Sequence, residues 1–341
     1  MVFQVKLCNS GGQFMVEDSE TVLEAALRSS YVIPYSFRSG SCGSCKARVV
    51  SGRVDYGDYK GNVLTDSERK QGITLLCQAR PLEDLVVDAR EVAVAEEIQI
   101  RLLPCRVTGL ERLSHDVMGV SLKLPQNQQF KYMAGQYIDI LLRDGRRRSF
   151  SIANEPEQEG ELELHIRLVP GGFFTHQIFN TIKLRDLLRF QGPLGTFFLR
   201  QDSDKPLIFM AGGTGFAPIK AIIEQAIEHK IERTMHLFWG ARSERDLYMD
   251  GLARQWSDQH PHIRYTPVLS EAGPLPDWAG ETGWVHDAVS KQYPDLSAYE
   301  IYMSGPPPMV EEGSLAFAEC GLPEQSLYFD SFEFAADVPR S

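Results

Sequence analysis

The chain has 341 residues, 43% of them hydrophobic and 24% charged, with a net charge of −11; this suits a globular protein too long for one ordinary core and predicts two or three domains. No apolar run approaches the roughly 18 residues that cross a bilayer. The start MVFQVKLCNSGG lacks a secretory leader pattern and no basic stripe marks a nucleic-acid surface, so the expectation is a cytoplasmic protein without membrane or nucleic-acid partners.

The acidity is uneven. Residues 1–90 carry 11 basic and 11 acidic side chains, whereas residues 201–341 carry 10 and 22. An acidic C-terminal block suits solubility or steering towards a basic partner.

VFQVKL and QFMVE alternate around a Gly-Gly turn, which predicts a hairpin. ETVLEAALRSS keeps its apolar residues on one helical face, and Asp18, Ser19 or Thr21 is placed to cap it. The loop SFRSGSCGSCKA follows, then a strand (KARVVSG), a polar stretch and a last strand (DLVVDAR). Strands and one helix around a loop predict a small α+β domain. Six cysteines in a reducing compartment favour metal binding or free thiols over disulfides. Cys8, Cys105 and Cys320, in apolar or mixed segments, read as core residues. Cys42 and Cys45 stand three apart, with Cys77 downstream. A plant-type [2Fe–2S] loop is spaced C-x4-C-x2-C before a distant cysteine; that spacing requires a cysteine at position 37, where this chain has Phe37.

EVAVAEEIQIR, 91–101, reads as a linker. From 102 to 200, short alternating runs such as CRVTGLERL, YIDILLRD and ELELHIRLV are separated by turn residues and predict an antiparallel β-barrel. Inside it, RRRSFSIAN, 146–154, suits a phosphate held by guanidinium groups or a solvated charge run on an edge strand. VPGGFFTHQIF, 169–179, and QGPLGTFFL, 191–199, offer an amide nest for phosphate or ordinary turns.

From 203 strands and helix-length segments alternate, which predicts a parallel, doubly wound domain. AGGTGFAP, 211–218, follows a buried-type strand and opens a helix. Its glycines allow close approach of a phosphate to the helix N-terminus, or serve a tight β–α turn. GPPPM, 305–309, follows the strand EIYMS at the carboxyl end, where ligands bind in such sheets; a simple turn is the other reading.

In this order the motifs resemble the ferredoxin–NAD(P)H reductase family, in its members with an N-terminal plant-type ferredoxin domain. Such reductases serve bacterial aromatic-ring and methane oxygenases and a CDP-6-deoxy-sugar dehydrase. The resemblance spans nearly the whole chain and rests on the cysteine loop, RSFS, Gly-Gly-Phe-Phe-Thr, GGTG and GPPPM. Gly135-Gln136-Tyr137 resembles the family's strand before the flavin motif, and the ending YFDSFEF looks most like the deoxysugar-dehydrase reductases. The implied architecture is a ferredoxin-like (β-grasp) α+β domain over 1–92, a linker over 93–101, an FAD-binding β-barrel over 102–201 and an NAD(P)-binding α/β domain over 202–341.

The resemblance also implies roles. Arg148, Ser149, Phe150 and Ser151 match the flavin motif R-x-Y-S, with Arg148 on the FAD pyrophosphate, Ser151 facing flavin N5, and Phe150 lacking the usual tyrosine hydroxyl. Gly171, Gly172 and Thr175 would hold FAD phosphate. Gly212, Gly213, Thr214 and Gly215 would hold the nicotinamide dinucleotide, and Gly305, Pro306 and Met309 would line the nicotinamide pocket. Ser304 stands where many relatives carry a cysteine; Ser151 and Ser304 are the expected catalytic positions. In WGARSERDLY, Arg242 and Arg245 would meet a 2′-phosphate and Glu244 would oppose one, so NADH and NADPH both stay open, with NADH favoured. Phe329, Phe332 and Phe334 would stack near the isoalloxazine or pack the last strand's edge.

Cys42, Cys45 and Cys77 match three of the four cluster ligands. For the fourth, three outcomes stay open: an oxygen from Ser36, Ser39 or Ser41, no cluster with Phe37 filling the space, or a variant of a cysteine-bearing parent. The implied function is electron transfer from NAD(P)H through FAD, and a [2Fe–2S] centre if assembled, to a partner oxygenase or dehydrase. The alternative is a cluster-less NAD(P)H:flavin, quinone or dye reductase whose N-terminal domain only docks. A monomer suffices for either.

Overall fold

The computed structural model describes residues 2–36, 38–92, 98–126, 128–156, 160–271 and 278–331. The expectations for Phe37, Phe332 and Phe334 fall outside the described residues. Two compact units meet in sequence between Ile98 and Gln99.

The first unit contains β1 (Phe3–Leu7), β2 (Gln13–Val16), α1 (Val22–Arg28), β3 (Lys46–Ser51), β4 (Val54–Asp55), α2 (Asp66–Lys70), β5 (Ile73–Leu75), β6 (Arg80–Pro81) and β7 (Leu85–Asp88). Its main sheet runs β2-β1-β7-β3-β5. β1 pairs antiparallel with β2, as the hairpin pattern predicts, and parallel with β7. Of the three candidate caps, Thr21 starts α1, in a reciprocal capping box with Glu24. Such a cap is worth about 1 kcal/mol. Val22, Leu23, Ala25 and Ala26 turn inwards onto the sheet core. α2 and β5 arise in the stretch that reads as polar. α2 buries no residue, so it leaves no apolar period to read; its signal is a second capping box, Thr65 with Glu68. One expectation needs correcting here: Cys8 is exposed. Alternation along β1 turns Leu7 inwards and the next residue out.

The second unit begins with a barrel: β8 (Arg101–Arg112), β9 (Val117–Lys123), β10 (Tyr137–Leu141), β11 (Arg147–Ser151), β12 (Glu161–Arg167), α3 (Phe173–Asn180) and β13 (Leu187–Leu194). The order is β11-β10-β13-β8-β9-β12, with antiparallel neighbours throughout. An Ile152–Leu164 bridge brings the two outer strands together. Cys105 is buried in this part, as expected.

The remainder alternates β14 (Leu207–Gly212), α4 (Phe216–Glu228), β15 (Met235–Ala241), α5 (Asp250–Gln259), β16 (Ile263–Leu269), β17 (Glu281–Thr282), α6 (Val285–Gln292), β18 (Glu300–Gly305), α7 (Pro307–Glu319) and β19 (Leu327–Ser331). The sheet β17-β16-β15-β14-β18-β19 is parallel throughout. Every residue of β14 and β18 is buried. Such continuous burial, apolar throughout β14 and broken in β18 by Glu300 and Ser304, is expected where helices cover both faces. Cys320, read as a core residue, is only half-buried, at the C-terminal cap of α7. The chain goes from β14 outwards to β15, then returns to the other side of β14 as β18. The crevice at the carboxyl ends of β14 and β18 is therefore the switch point at which such sheets bind ligands.

Candidate functional site

GGTG and GPPPM lie far apart in sequence and meet at that switch point. A Cβ on Gly215 would lie 1.9 Å from the Ser304 carbonyl oxygen. One on Gly212 would lie 2.5 Å from Met309 Sδ and 3.0 Å from Pro306 Cδ. One on Gly305 would lie 2.5 Å from Met309 Cε. Gly215 is required by space, because it meets backbone that cannot move aside, whereas Gly212 and Gly305 are packed closely by the mobile end of Met309. Gly213 is required by conformation as well, with φ +54°. A 3-10 turn at Gly213–Gly215 feeds directly into α4, with no side-chain cap at its start, so backbone amides remain for a phosphate. Ser304 is fully buried, and its Oγ has no hydrogen-bond partner within the protein. An orphaned hydroxyl beside a glycine cradle at a helix start fits a dinucleotide with its nicotinamide end near Ser304.

The flavin motif forms β11, hydrogen-bonded along β10. Ser149 donates to buried Asp139 at 2.6 Å, so its hydroxyl serves the barrel wall. Phe150 packs on Phe174 of α3, ring centres 5.6 Å apart, which brings RSFS and Gly-Gly-Phe-Phe-Thr into one site. Gly171 takes φ +74° and Gly172 caps α3 without a side chain. The Thr175 hydroxyl accepts from the Val169 amide at 3.2 Å and donates to the Gly172 carbonyl at 3.3 Å. It therefore shapes the turn that leads into α3. Ser151, buried at the end of β11, donates to Asp330 Oδ2 at 3.4 Å. Uncapped amides, a polar pair at Ser151 and the apolar Phe150–Phe174 wall fit an FAD.

Two residues that sequence reasoning missed join these halves. Asp330 is buried on β19 beside Ser151; its only sequence signal is a lone acid inside the apolar ending YFDSF. Arg167 ends β12, and its guanidinium lies 2.8 Å from where a Gly213 Cβ would stand. Asp116 pairs with Arg167 Nε at 3.0 Å. The signal for Arg167 was its place as the last strand residue before the VPGG turn.

At the carboxyl end of β15, Ser243 and Asp246 cap a short 3-10 turn. Burial raises the Asp246 carboxyl, but hydrogen bonds from the Ser243 hydroxyl and amide, with Arg242 and Arg167 nearby, bring it below the usual carboxylate range. His115 Nε2 lies 3.8 Å from its Oδ1. This puts a buried negative charge next to Arg242, where the sequence leaves NADH and NADPH open.

In the first unit Cys45 and Cys77 are buried and Cys42 half-buried. The Cys77 amide points at Cys45 Sγ, 3.5 Å away. A hydrogen bond from the Cys45 thiol, helped by the Gly40 amide, brings Cys77 down to about 7. Cys45 is pushed up by that same bond and by burial. Gly40 and Gly43 take φ of +73° and +78°, turning the loop around the sulfurs. Ser36 and Ser41 are buried in the same loop, and Ser39 and Ser41 are hydrogen-bonded to each other. Three sulfurs are one short of the four-thiolate set of a [2Fe–2S] centre. The residues present do not complete that set.

Family profiles match in the same order: "2Fe-2S iron-sulfur cluster binding domain" over residues 5–82, "Oxidoreductase FAD-binding domain" over 104–199 and "Oxidoreductase NAD-binding domain" over 209–314. The chain is 40% identical over 332 residues to a CDP-6-deoxy-L-threo-D-glycero-4-hexulose-3-dehydrase reductase of Yersinia pestis, covering 97% of this chain and 99% of that protein. It is 36% identical to the reductase component DmpP of a phenol 2-monooxygenase of Pseudomonas sp. (strain CF600), covering 99% and 96%. Among solved structures, the Amycolatopsis cytochrome P450 reductase GcoB superposes with a TM-score of 0.79 at 33% identity, covering 97% of this chain and 98% of that one. Full-length agreement with these reductases, and the meeting of the flavin and dinucleotide motifs within one unit, lead to one assignment: the chain belongs to the ferredoxin–NAD(P)H reductase family, in the branch whose FAD and NAD domains follow an N-terminal 2Fe-2S domain.

Proposed function

We propose that this oxidoreductase is the cytoplasmic electron-transfer component of a multicomponent system, taking electrons from NADH and delivering them to a separate oxygenase or sugar-dehydrase protein. One observation carries the reading. Ser151 with Asp330 on the flavin side, and Gly212–Gly215 packed on Ser304–Met309 on the nicotinamide side, lie in one unit, with Arg167 of the barrel beside Gly213. FAD, when bound, supplies the chemistry of accepting a hydride and releasing electrons one at a time. Arg148 and the amides after Gly172 hold the FAD phosphates, and Phe150 and Phe174 provide an apolar wall. Ser151 orients the reactive edge of the ring, with its hydroxyl held by Asp330. The amides of Gly213–Gly215 and the Arg167 guanidinium hold the dinucleotide phosphates. Gly305, Pro306 and Met309 exclude water around the nicotinamide, and Ser304 offers its hydroxyl to it. Among the described residues, no helix is long and apolar enough to cross a membrane.

The buried Asp246 carboxylate and Glu244 support NADH over NADPH, since a 2′-phosphate would meet two negative charges beside Arg242. A specific observation favours a second reading. With Phe37 in the first ligand position and three sulfurs in the loop, the first unit would dock a partner while electrons pass from flavin to a small acceptor. NADH oxidation by the purified protein with cytochrome c and with ferricyanide separates the two. Reduction of both supports the first reading, and reduction of ferricyanide alone supports the second. Absence of bound FAD and of either activity would refute both.

A further inference from the structure

One buried ammonium group ties the flavin-side strand to the dinucleotide helix. Lys220 lies on α4, little more than a turn beyond Gly215, and is 5% exposed. Its Nζ donates to the Ala153 carbonyl at 3.0 Å, to Glu163 Oε2 at 3.0 Å and to Glu224 Oε2 at 2.9 Å. All three ammonium donors are used. Ala153 follows Ser151 by two residues, and its own amide donates to the Glu163 carbonyl at 2.8 Å.

The chain of contacts then closes on itself. Glu163 Oε1 meets His165 Nε2 at 2.9 Å, and His165 Nδ1 meets the Tyr248 hydroxyl at 3.0 Å. Tyr248 lies edge-on to Trp239, ring centres 5.2 Å apart. Trp239 Nε1 donates to the Gly213 carbonyl at 3.0 Å. Lys220 and Gly213 are thus linked twice: through α4, and through Glu163, His165, Tyr248 and Trp239.

A buried ion pair of this kind is no more stabilising than a well-packed apolar pair, so stability alone does not explain it. What it supplies is directional spacing between two loops. We propose that Lys220 is a positioning residue for hydride transfer, setting the separation between the Ser151 strand end and the Gly213–Gly215 loop. The proposal rests on the reading of these segments as the flavin and nicotinamide loops.

The test uses the full-length, FAD-loaded protein. Lys220→Met alone leaves Glu163 and Glu224 without their cation, so the triple variant K220M/E163Q/E224Q, which removes the charges together, carries the same test if the single variant does not fold. Two readouts are taken: hydrogen exchange of the amides around Ile152–Asn154 and Gly213–Phe216 without NADH, and anaerobic stopped-flow reduction by NADH. The expected result is retained FAD and about 10-fold faster exchange confined to those two segments, with a limiting reduction rate lower by roughly 10- to 100-fold and an NADH dissociation constant changed by no more than about threefold. Wild-type exchange and rate in the variants would overturn the proposal. So would faster exchange spread evenly over the unit, which would mark a merely structural residue. If the wild-type protein itself binds no FAD, or is not reduced by NADH, the reading of the loops fails instead, whatever the variants do.

Discussion

Gly215→Ala is the sharpest test of how the dinucleotide crevice is built. Gly215 has φ −59° and ψ −12°, which alanine adopts freely. By backbone entropy alone the substitution would stabilise the protein by about 0.4–1 kcal/mol. The new methyl group would instead stand 1.9 Å from the Ser304 oxygen and 2.4 Å from its carbonyl carbon. Both are backbone atoms of a central buried strand and cannot rotate away. Ordinary contact needs about 3.4 Å, so α4 and β18 must part by more than an ångström. Overpacking of this kind costs about 1–3 kcal/mol, and the entropy gain offsets part of it, leaving a net destabilisation of roughly 1–2 kcal/mol. Displacement of this size at a cofactor loop lowers the rate of flavin reduction by about 100-fold. Gly251→Ala is the control: it lies in the first turn of α5 with nothing within 4 Å of the added Cβ, and is expected to be neutral or stabilising by up to about 1 kcal/mol. Chemical denaturation followed by flavin and tryptophan fluorescence, with stopped-flow reduction by NADH, measures both. A Gly215→Ala variant with wild-type stability and rate would refute the packing argument.

Ser304→Cys replaces an unpartnered buried hydroxyl by a thiol that tolerates apolar surroundings, and is expected to raise stability by about 1 kcal/mol; a fall on denaturation would count against the orphaned hydroxyl. His236 is held down to about 4 by burial and by Arg264. The unfolded chain therefore takes up that proton first, so stability present above pH 6.5 is lost as pH falls towards 4, by at most about 3 kcal/mol. The acid limb of a melting-temperature profile should flatten in His236→Gln, and an unchanged limb would exclude His236 as its source. Iron and acid-labile sulfide per FAD should be substoichiometric in the chain as it stands and rise to about two of each in Phe37→Cys; two irons and two sulfides in the unsubstituted protein would show that another group, with Ser36, Ser39 and Ser41 first in line, completes the site. NADH should exceed NADPH in kcat/KM by about 10-fold or more, since 1.4 kcal/mol of repulsion from Asp246 and Glu244 suffices, and equal use of both would contradict the charge argument at Arg242.

Local pattern and local chemistry were written plainly in the sequence. The β1–β2 hairpin follows from alternation about Gly11-Gly12. α1 follows from its apolar face and a cap among Asp18, Ser19 and Thr21, and the parallel sheet from apolar runs alternating with helices. Those signals are local because hydrogen bonding and side-chain direction repeat within a few residues. The ordered motifs, from the cysteine loop to GPPPM, carried the family. α2 stayed hidden because an exposed helix has no hydrophobic period, and β17 because a two-residue strand gains its meaning only from the neighbour it pairs with. The site shows the same division. Gly212, Gly215 and Gly305 were legible as candidates, but that the Ser304 carbonyl enforces Gly215, and that Met309 packs on Gly212 and Gly305, is decided by the pairing of β14 with β18. Asp330 beside Ser151, Arg167 beside Gly213, and Lys220 between two carboxylates and the Ala153 carbonyl come from residues distant along the chain. Long-range polar contacts have no sequence period, since any acid can meet any base. Only the closing of the barrel against α4 and β19 selects which ones do.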